Sequence, residues 1–289
     1  MDNERIKQVL REATDTQAIL IDAGALSSAD DVFGESFGDR PAVVVADENT
    51  FKVAGEAVQR RLTGAGRTVA EPIIFPGQPT LYADFANVLE LEGKLRQVDA
   101  IPVVVGSGTL NDITKIASHR VGRPYMVVGT AASMDGYTAF GAAITKDGFK
   151  QTMSCPAPRA VLADLDVLVG APAQMNSTGY GDLLGKVTAG ADWILADALD
   201  VEPIDPRAWP LVQDSLRDWT GKPERLHARD HEAIEDLFEG LIMSGVAMQI
   251  SASSRPASGS EHRFSHLWEM QALGHGEAPI PHGFKVGVG

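Results

Sequence analysis

The chain has 289 residues, of which 44% are apolar and 22% charged, a composition typical of a globular protein with one large or two medium domains. Its formal charge of -14 argues against nucleic acid as a partner, because phosphate binding needs clustered lysine and arginine. No apolar run approaches the roughly 20 residues of a membrane span, and the charged N-terminus "MDNERIKQVL" lacks a signal-peptide core. Cys155 is the only cysteine, so no disulfide or cysteine-based zinc site is expected, and a cytoplasmic location fits best.

Short β-branched runs alternate with helical stretches in the first half of the chain. Residues 50–66 and 82–98 carry apolar side chains at three- and four-residue spacing, which predicts helices. Strand, helix, strand in this rhythm indicates βαβ units and a mainly parallel sheet. A hairpin-like excursion and a last strand follow. The other strands are predicted at residues 17–23, 40–47, 69–75, 100–108 and 124–132.

The pattern changes at about residue 171, after which only helical periodicity is found. The sequence therefore predicts an α/β nucleotide-binding domain over residues 1–168. An all-α domain is predicted over residues 169–289, with a cleft between the two.

Two loops of small residues follow buried strands of the first domain. In "VVVGSGTLNDITK", Gly106 and Gly108 permit close backbone approach, and the helix start can hold a pyrophosphate. The third glycine of the G-x-G-x-x-G fingerprint is missing, so a plain strand–helix turn is an equally good interpretation. The second loop, "GTAASMDGYT", contains Asp135; such loops line ligand crevices, although Asp-Gly alone usually marks a turn.

Four side chains of the second domain are candidate metal ligands. His262 and His266 are four residues apart and share a helix face. Asp182 lies at an apparent helix start, where it can instead complement the helix dipole. His282 precedes a glycine where a helix is predicted to begin, and it can equally be a capping residue. One Asp and two His facing two glycine-rich loops would be the layout of a metal-assisted hydride transfer.

This combination resembles the sn-glycerol-1-phosphate dehydrogenases, including their bacterial AraM-type members. They belong to the superfamily of metal-dependent (iron-containing type) alcohol dehydrogenases and dehydroquinate synthases. The matching stretches occur in order over about residues 40–289. They are "GSGTLNDITKIAS", "GTAASMDGYT", "ADLDVL", "GYGDLLGKVTAGADW", "SGSEHRFSHLWEM" and "HGFKVGVG".

The resemblance implies that Asp182, His262 and His282 bind a catalytic divalent metal, zinc by preference, with nickel and iron as alternatives. Three protein ligands leave a coordination position open, as catalytic sites require. A metal at that position makes an alcohol more acidic or polarises a ketone. The resemblance places His266 and Asp135 on the substrate side, as catalytic members of a proton path.

The resemblance also implies NAD or NADP as the cofactor. Asp47, at the end of "VVVAD", would contact the adenosine ribose and disfavour a 2′-phosphate, which favours NAD. The remaining cofactor contacts are expected at Gly106, Gly108, Thr109, Leu110, Asn111, Asp112, Thr130, Ala131, Ala132 and Ser133.

The implied reaction interconverts dihydroxyacetone phosphate and sn-glycerol 1-phosphate, a step of phospholipid biosynthesis, in a homo-oligomeric enzyme. Asp135, Asp182, His266 and Lys186 are the expected substrate-binding residues. A phosphate needs cationic partners, for which Lys186, Arg263 and Arg255 are candidates. The alternative is that these cations are solvated surface residues.

Three other functions stay open. A polyol or glycerol dehydrogenase uses the same machinery on an unphosphorylated substrate. A dehydroquinate synthase-like cyclase typically has Glu as its first metal ligand, where this chain has Asp182. Relatives continue for several dozen more helical residues, so the second domain is expected to be truncated. An inactive member that binds nucleotide or metal without turnover is the non-enzymatic alternative.

Overall fold

The computed structural model describes residues 3–272 and 280–289, which form two compact units. The first unit comprises the residues up to Arg11, Asp15–Ala131 and Gly141–Ala171. The second comprises Glu12–Thr14, Ala132–Phe140 and Pro172–Gly289. The sequence assigned residues 132–140 to the α/β domain, whereas in the structure this loop packs within the helical unit.

A six-stranded parallel sheet forms the first unit, in the order β1-β8-β5-β4-β2-β3. Its central strands carry runs of Val and Ile because both faces of such a sheet are covered, and Val43, Val103 and Val127 are completely buried. A separate antiparallel hairpin is made by β6 (Ala142–Lys146) and β7 (Phe149–Met153). The strands of the sheet are β1 (Ala18–Asp22), β2 (Ala42–Asp47), β3 (Ile73–Phe75), β4 (Ile101–Gly106), β5 (Met126–Gly129) and β8 (Ala160–Asp164).

Helices connect these strands as the apolar spacing predicts. The predicted helix at 50–66 divides into α3 and α4, joined by a π-helical turn at Phe51–Gly55. The helices of the first unit are α1 (Asn3–Leu10), α2 (Ala29–Phe37), α3 (Glu48–Thr50), α4 (Glu56–Gly64), α5 (Phe85–Leu95), α6 (Gly108–Arg120) and α7 (Leu165–Gly170).

The regular elements that the structure describes in the second unit are all helices. Its most apolar element, α12, is buried along nearly its whole length, so the other helices pack around it. The helices are α8 (Ala173–Ala198), α9 (Ala208–Gln213), α10 (Leu216–Thr220), α11 (Pro223–His227), α12 (His231–Ser251), α13 (Ser260–Ala272) and α14 (His282–Val288). The predicted fold class, an α/β part followed by a helical part, is confirmed.

A search of the described residues for a membrane-spanning helix found no candidate of sufficient length and apolar character.

The strand order of the sheet reverses next to β2. The chain passes from β2 outward to β3, then crosses back to β4 on the other side of β2 and continues through β5. Open α/β sheets bind ligands outside the carboxyl ends of the strands at such a switch point. Asp47 and Gly106 end the two adjacent strands β2 and β4, so both lie at this point.

A buried carboxylate links two helices of the first unit. Glu92 on α5 accepts hydrogen bonds from Arg120 on α6 and from Arg96, whose Nη2 lies 2.7 Å from its Oε1. These bonds, from Arg120 first and then Arg96, hold the pKa of Glu92 below its ordinary value. The stabilisation is therefore complete above the unfolded pKa of about 4.3 and is lost as the pH falls through the lower folded value.

We expect Glu92→Gln to lower the free energy of unfolding by about 1 kcal/mol at pH 7, because the charge-assisted bonds become neutral ones. The difference between variant and wild type should shrink as the pH falls from 7 to 3, because protonation of the wild-type carboxylate increases over that range. Urea unfolding of both proteins at pH 7 and pH 3 measures this. An equal difference at the two pH values would contradict the assignment.

Candidate metal centre and substrate pocket

Helices α8 and α14 touch at glycine residues. A Cβ atom on Gly181 would lie 2.4 Å from the carbonyl oxygen of Gly283, and one on Gly283 would lie 1.8 Å from that of Thr178. Only glycine allows backbones to approach this closely. The contact brings His282, the first residue of α14, beside the middle of α8.

Asp182 does not lie at a helix start, as the sequence predicted, but inside the long helix α8. The prediction was wrong because Gly179 and Gly181 resemble the punctuation that precedes a helix. In the structure these glycines are helical and serve close packing instead: a Cβ on Gly179 would lie 2.0 Å from the carbonyl oxygen of Ala132. The carboxylate of Asp182 is fully buried, so complementing a helix dipole does not explain it.

The three predicted metal ligands lie together. One potential ligand atom from each of Asp182, His262 and His282 lies within 4.8 Å of the other two. The Nε2 atom of His262 is 3.7 Å from Oδ1 of Asp182, and the rings of His262 and His282 are 5.1 Å apart between centroids. Zinc–ligand distances of about 2.0–2.2 Å place two ligands of a tetrahedral site about 3.4 Å apart. One carboxylate and two imidazoles at this spacing fit a divalent metal.

Lys186 occupies the centre of a hydrogen-bond network around Asp182. Its Nζ atom lies 2.9 Å from Oδ1 of Asp182, 2.6 Å from Oδ2 of Asp135 and 2.9 Å from the carbonyl oxygen of Ala257. Burial alone would lower the pKa of Lys186, but the charges of Asp135 and Asp182 raise it above its ordinary value. The backbone N–H of Asp135 also donates to Oδ2 of Asp182, at 3.0 Å.

This network shows the surroundings of Lys186, which the sequence predicted to bind the substrate. An ammonium group has three donors, and those of Lys186 are directed at two carboxylates and a carbonyl. The side chain has no exposed surface. Lys186 therefore links Asp182 to the loop of Asp135.

Glu261 is a further buried carboxylate beside the metal ligands, and the sequence did not single it out. Its Oε1 atom lies 2.7 Å from Nδ1 of His262 and accepts the backbone N–H of Gly259 at 2.8 Å. Burial by itself would raise the pKa of Glu261, but the hydrogen bonds from His262 and Gly259 hold it below its ordinary value. The one available signal was its position directly before a candidate ligand.

The buried charges of this group do not balance. Asp135, Asp182 and Glu261 carry three negative charges and Lys186 one positive charge, and none of the four residues is more than 9% exposed. A formal charge of -2 results, and burying uncompensated charge is costly. A divalent cation between Asp182 and the two histidines would neutralise the group. The residues present therefore fit a divalent metal in charge as well as in geometry.

A pocket of about 340 Å³ opens beside His262. His266 lines it, and its ring centroid lies 6.2 Å from that of His282, so a ligand of the pocket would be close to the proposed metal. Arg255, another lining residue, donates to Glu202 at 2.8 Å. Arg263 is exposed and pairs with no carboxylate in the described part of the chain. The other lining residues are Asp192, Ser253, Ser254, Ser258, Gly259 and Ser260.

The first predicted cofactor loop lies in the first unit, at the junction of β4 and α6. The first backbone hydrogen bond of α6 runs from the N–H of Asn111 to the carbonyl of Ser107. The N–H groups of Gly108, Thr109 and Leu110 therefore precede the helical ladder, where an anion can accept from them. The side chain of Leu110 is buried, and that of Asn111 accepts from Tyr125 at 3.0 Å, so these two side chains serve the interior.

The other predicted cofactor residues are divided between the units. Thr130 and Ala131 belong to the first unit, where the N–H of Thr130 donates to the carbonyl of Gly106. Ala132 and Ser133 belong to the second unit. In the first unit, Asp47 caps α3 by accepting from the backbone of Asn49 and Thr50 on its Oδ1 atom. Asp112, on α6, is half-buried.

Comparisons with known proteins place these features in context. The family model described as "Iron-containing alcohol dehydrogenase" matches residues 20–172. The glycerol-1-phosphate dehydrogenase [NAD(P)+] of Halalkalibacterium halodurans is 41% identical over 246 residues, 84% of this chain and 61% of that protein. The enzyme of that name from Bacillus licheniformis is 36% identical over 274 residues, 94% of this chain and 68% of that protein. The chain thus spans 61% and 68% of the length of these two relatives.

Solved structures share the fold at lower identity. Glycerol dehydrogenase from Schizosaccharomyces pombe matches with a TM-score of 0.76 and 21% identity, covering 95% of this chain and 69% of that one. Maleylacetate reductase from Agrobacterium tumefaciens matches with a TM-score of 0.67 and 17% identity, covering 94% and 71%.

We expect Lys186→Met to destabilise the metal-free protein by about 3–5 kcal/mol, because it leaves the buried carboxylates of Asp135 and Asp182 without their cation. Urea unfolding in the presence of a chelator measures the change. Lys150→Met on the hairpin strand β7, away from this network, is the control and should have a small effect. A loss below about 1 kcal/mol for Lys186→Met would mean that the network does not support the fold.

Proposed function

The chain belongs to the iron-containing alcohol dehydrogenase family, and from this premise we propose that it is a metal-dependent oxidoreductase. The proposed reaction interconverts dihydroxyacetone phosphate and sn-glycerol 1-phosphate with NAD(H) or NADP(H). The observation that carries the proposal is the convergence of Asp182, His262 and His282 beside a pocket that contains Arg263. The names of the relatives, glycerol-1-phosphate dehydrogenases, support the choice of substrate.

Asp182, His262 and His282 would hold the metal, with zinc the first choice and nickel and iron the alternatives. A divalent ion there polarises the carbonyl of the ketone or acidifies the alcohol. Lys186 keeps the carboxylate of Asp182 oriented through their hydrogen bond of 2.9 Å. Glu261 occupies Nδ1 of His262, which leaves Nε2 for the ion.

His266 and Asp135 would handle the proton of the carbinol oxygen. His266 lines the pocket, and an imidazole ring has both a proton donor and a proton acceptor nitrogen, so it can deliver and accept a proton there. Asp135 is joined to Lys186, and we propose that it orients substrate and completes the proton path. Asp182 contributes to substrate binding only through the metal.

The dinucleotide would bind at the switch point of the sheet. The N–H groups at the start of α6 would hold the pyrophosphate. Asp47 uses Oδ1 to cap α3, which leaves Oδ2 to accept from a ribose hydroxyl. A carboxylate there repels a 2′-phosphate, so we propose NAD as the preferred cofactor.

Arg263 would bind the substrate phosphate. Arg255 is neutralised by Glu202 and Lys186 by its two carboxylates. Arg263 adjoins His262 in sequence and lines the same pocket, so its guanidinium can pair with a phosphate next to the reacting carbon. The serine residues of the pocket can supply additional donors.

The product would enter phospholipid biosynthesis, since it is a glycerol phosphate ester. We further propose a cytoplasmic location and a homo-oligomeric assembly.

The substrate is tested by NADH oxidation with dihydroxyacetone phosphate and with unphosphorylated dihydroxyacetone, in the presence of added zinc. We expect a strong preference for the phosphorylated ketone. Arg263→Ala should raise the KM for dihydroxyacetone phosphate by about 10–100-fold, as expected for a lost charge-assisted bond. Its KM for dihydroxyacetone should stay unchanged.

Arg60→Ala is the matched control, since Arg60 is an exposed arginine of the first unit. Equal efficiency of the wild type on both ketones would rule out a phosphate site and favour a polyol dehydrogenase. Zinc binding without any turnover would instead favour the inactive alternative. A phosphate preference that survives in Arg263→Ala would move the phosphate site elsewhere.

A further inference from the structure

We propose that Glu261 is a positioning residue that fixes the imidazole of His262 with Nε2 directed at the metal. The inference rests on the proposed function, because it concerns the same metal site. Glu261 would affect metal binding through His262, because its Oε1 atom lies 2.7 Å from Nδ1 of that ring. Its carboxylate would set the tautomer, the ring orientation and the basicity of that ligand.

The geometry fixes which nitrogen of His262 faces the site. Nδ1 lies 2.7 Å from Oε1 of Glu261, so the proton of a neutral ring resides on Nδ1. Nε2 then carries the lone pair, and this atom is the one that lies 3.7 Å from Oδ1 of Asp182. A carboxylate behind a histidine ligand raises the electron density on the coordinating nitrogen.

The surroundings of Glu261 are unusual for a carboxylate that only stabilises the fold. The residue is 1% exposed, and its second oxygen, Oε2, is buried without a hydrogen-bond partner among the described residues. Leaving a buried acceptor without a hydrogen bond costs free energy. A positive charge beyond the His262 ring would compensate it.

Two glycines make room for this side chain. A Cβ on Gly185 would lie 3.3 Å from Cγ of Glu261, and a Cβ on Gly259 would lie 2.8 Å from Oε2. Gly185 is on α8, one turn past Asp182, and Gly259 immediately precedes α13. The helices that carry two of the ligands therefore leave space for the carboxylate between them.

A purely structural role makes a different prediction from a positioning role. The hydrogen bond from the N–H of Gly259 to Oε1 could simply fix the start of α13. In that case, removing the carboxylate would destabilise the metal-free and the zinc-loaded protein alike. If Glu261 acts through His262, its removal should affect the zinc-loaded protein most.

The test compares wild type, Glu261→Ala and Glu261→Gln by calorimetric titration with zinc and by melting temperature with and without zinc. Glu261→Ala should bind zinc about 10–100-fold more weakly, the usual effect of losing such a partner. Glu261→Gln should lose less than Glu261→Ala, because its amide oxygen can still accept from Nδ1. The zinc-loaded protein should lose more melting temperature than the metal-free protein, so the zinc-induced increase should shrink.

Glu92→Gln is the matched control, because Glu92 is also a buried hydrogen-bonded glutamate but belongs to the first unit. It should lower both melting temperatures and leave the zinc affinity unchanged. If Glu261→Ala does not fold, the zinc affinity and melting temperatures of Glu261→Gln are compared with those of the wild type instead.

Wild-type zinc affinity in Glu261→Ala, or in Glu261→Gln where the alanine variant is lost, would overturn this inference while the proposed function stands. Equal losses of melting temperature with and without zinc would do the same. A wild-type protein that binds no zinc, nickel or iron would overturn the proposed function and this inference together. Cobalt(II) provides a spectroscopic check, since its visible absorption should change in Glu261→Ala if the coordination of His262 changes.

Discussion

The helical unit contains a buried group of charged side chains with more carboxylates than cations. Asp135, Asp182 and Glu261 face one ammonium, that of Lys186, at exposures of 9% or less. Lys186 offsets one of the two negative charges that it contacts, at 2.6 Å and 2.9 Å. The remaining charge lies toward His262, on the side where the candidate ligands converge. A divalent ion would therefore contribute to folding as well as to chemistry, because it supplies the missing positive charge.

Close backbone contact between α8 and α14 holds a short helix next to the buried charges. His282 is the first residue of α14, a helix of seven residues, and such a helix has little stability of its own. Its approach to α8 through Gly181 and Gly283 provides the packing that holds it. The same contact places the imidazole of His282 beside the other two candidate metal ligands. Glycine at these positions thus links the local packing to the chemistry.

The fold was largely predictable from the sequence, because strand and helix periodicities are local. The runs around Val43 and Val103 have no polar face and became central strands of the parallel sheet. The location of Asp182 was not predictable in this way, since glycines before it resemble a helix start. Gly181 packs against the backbone of Gly283, more than 100 residues away in sequence, and Gly179 packs against that of Ala132.

The partners of the charged side chains also could not be predicted from the local sequence. Lys186 is four residues after Asp182, a spacing that indicates an ion pair on a helix, but its bond to Asp135 joins a loop of distant sequence. The resemblance to a known family named the ligands. It did not indicate that Lys186 donates to Ala257 or that Glu261 contacts Nδ1 of His262, because both contacts result from tertiary packing.

The claim that Asp182, His262 and His282 form one metal site is tested most directly by anomalous diffraction from crystals of the zinc-loaded protein. We expect a single strong peak within about 2.0–2.2 Å of one carboxylate oxygen of Asp182, Nε2 of His262 and one ring nitrogen of His282. Glu261 should remain bonded to Nδ1 of His262. The proposed metal site would be contradicted by a peak that His262 and His266 bind while His282 is turned away. It would also be contradicted if no peak lay at these residues.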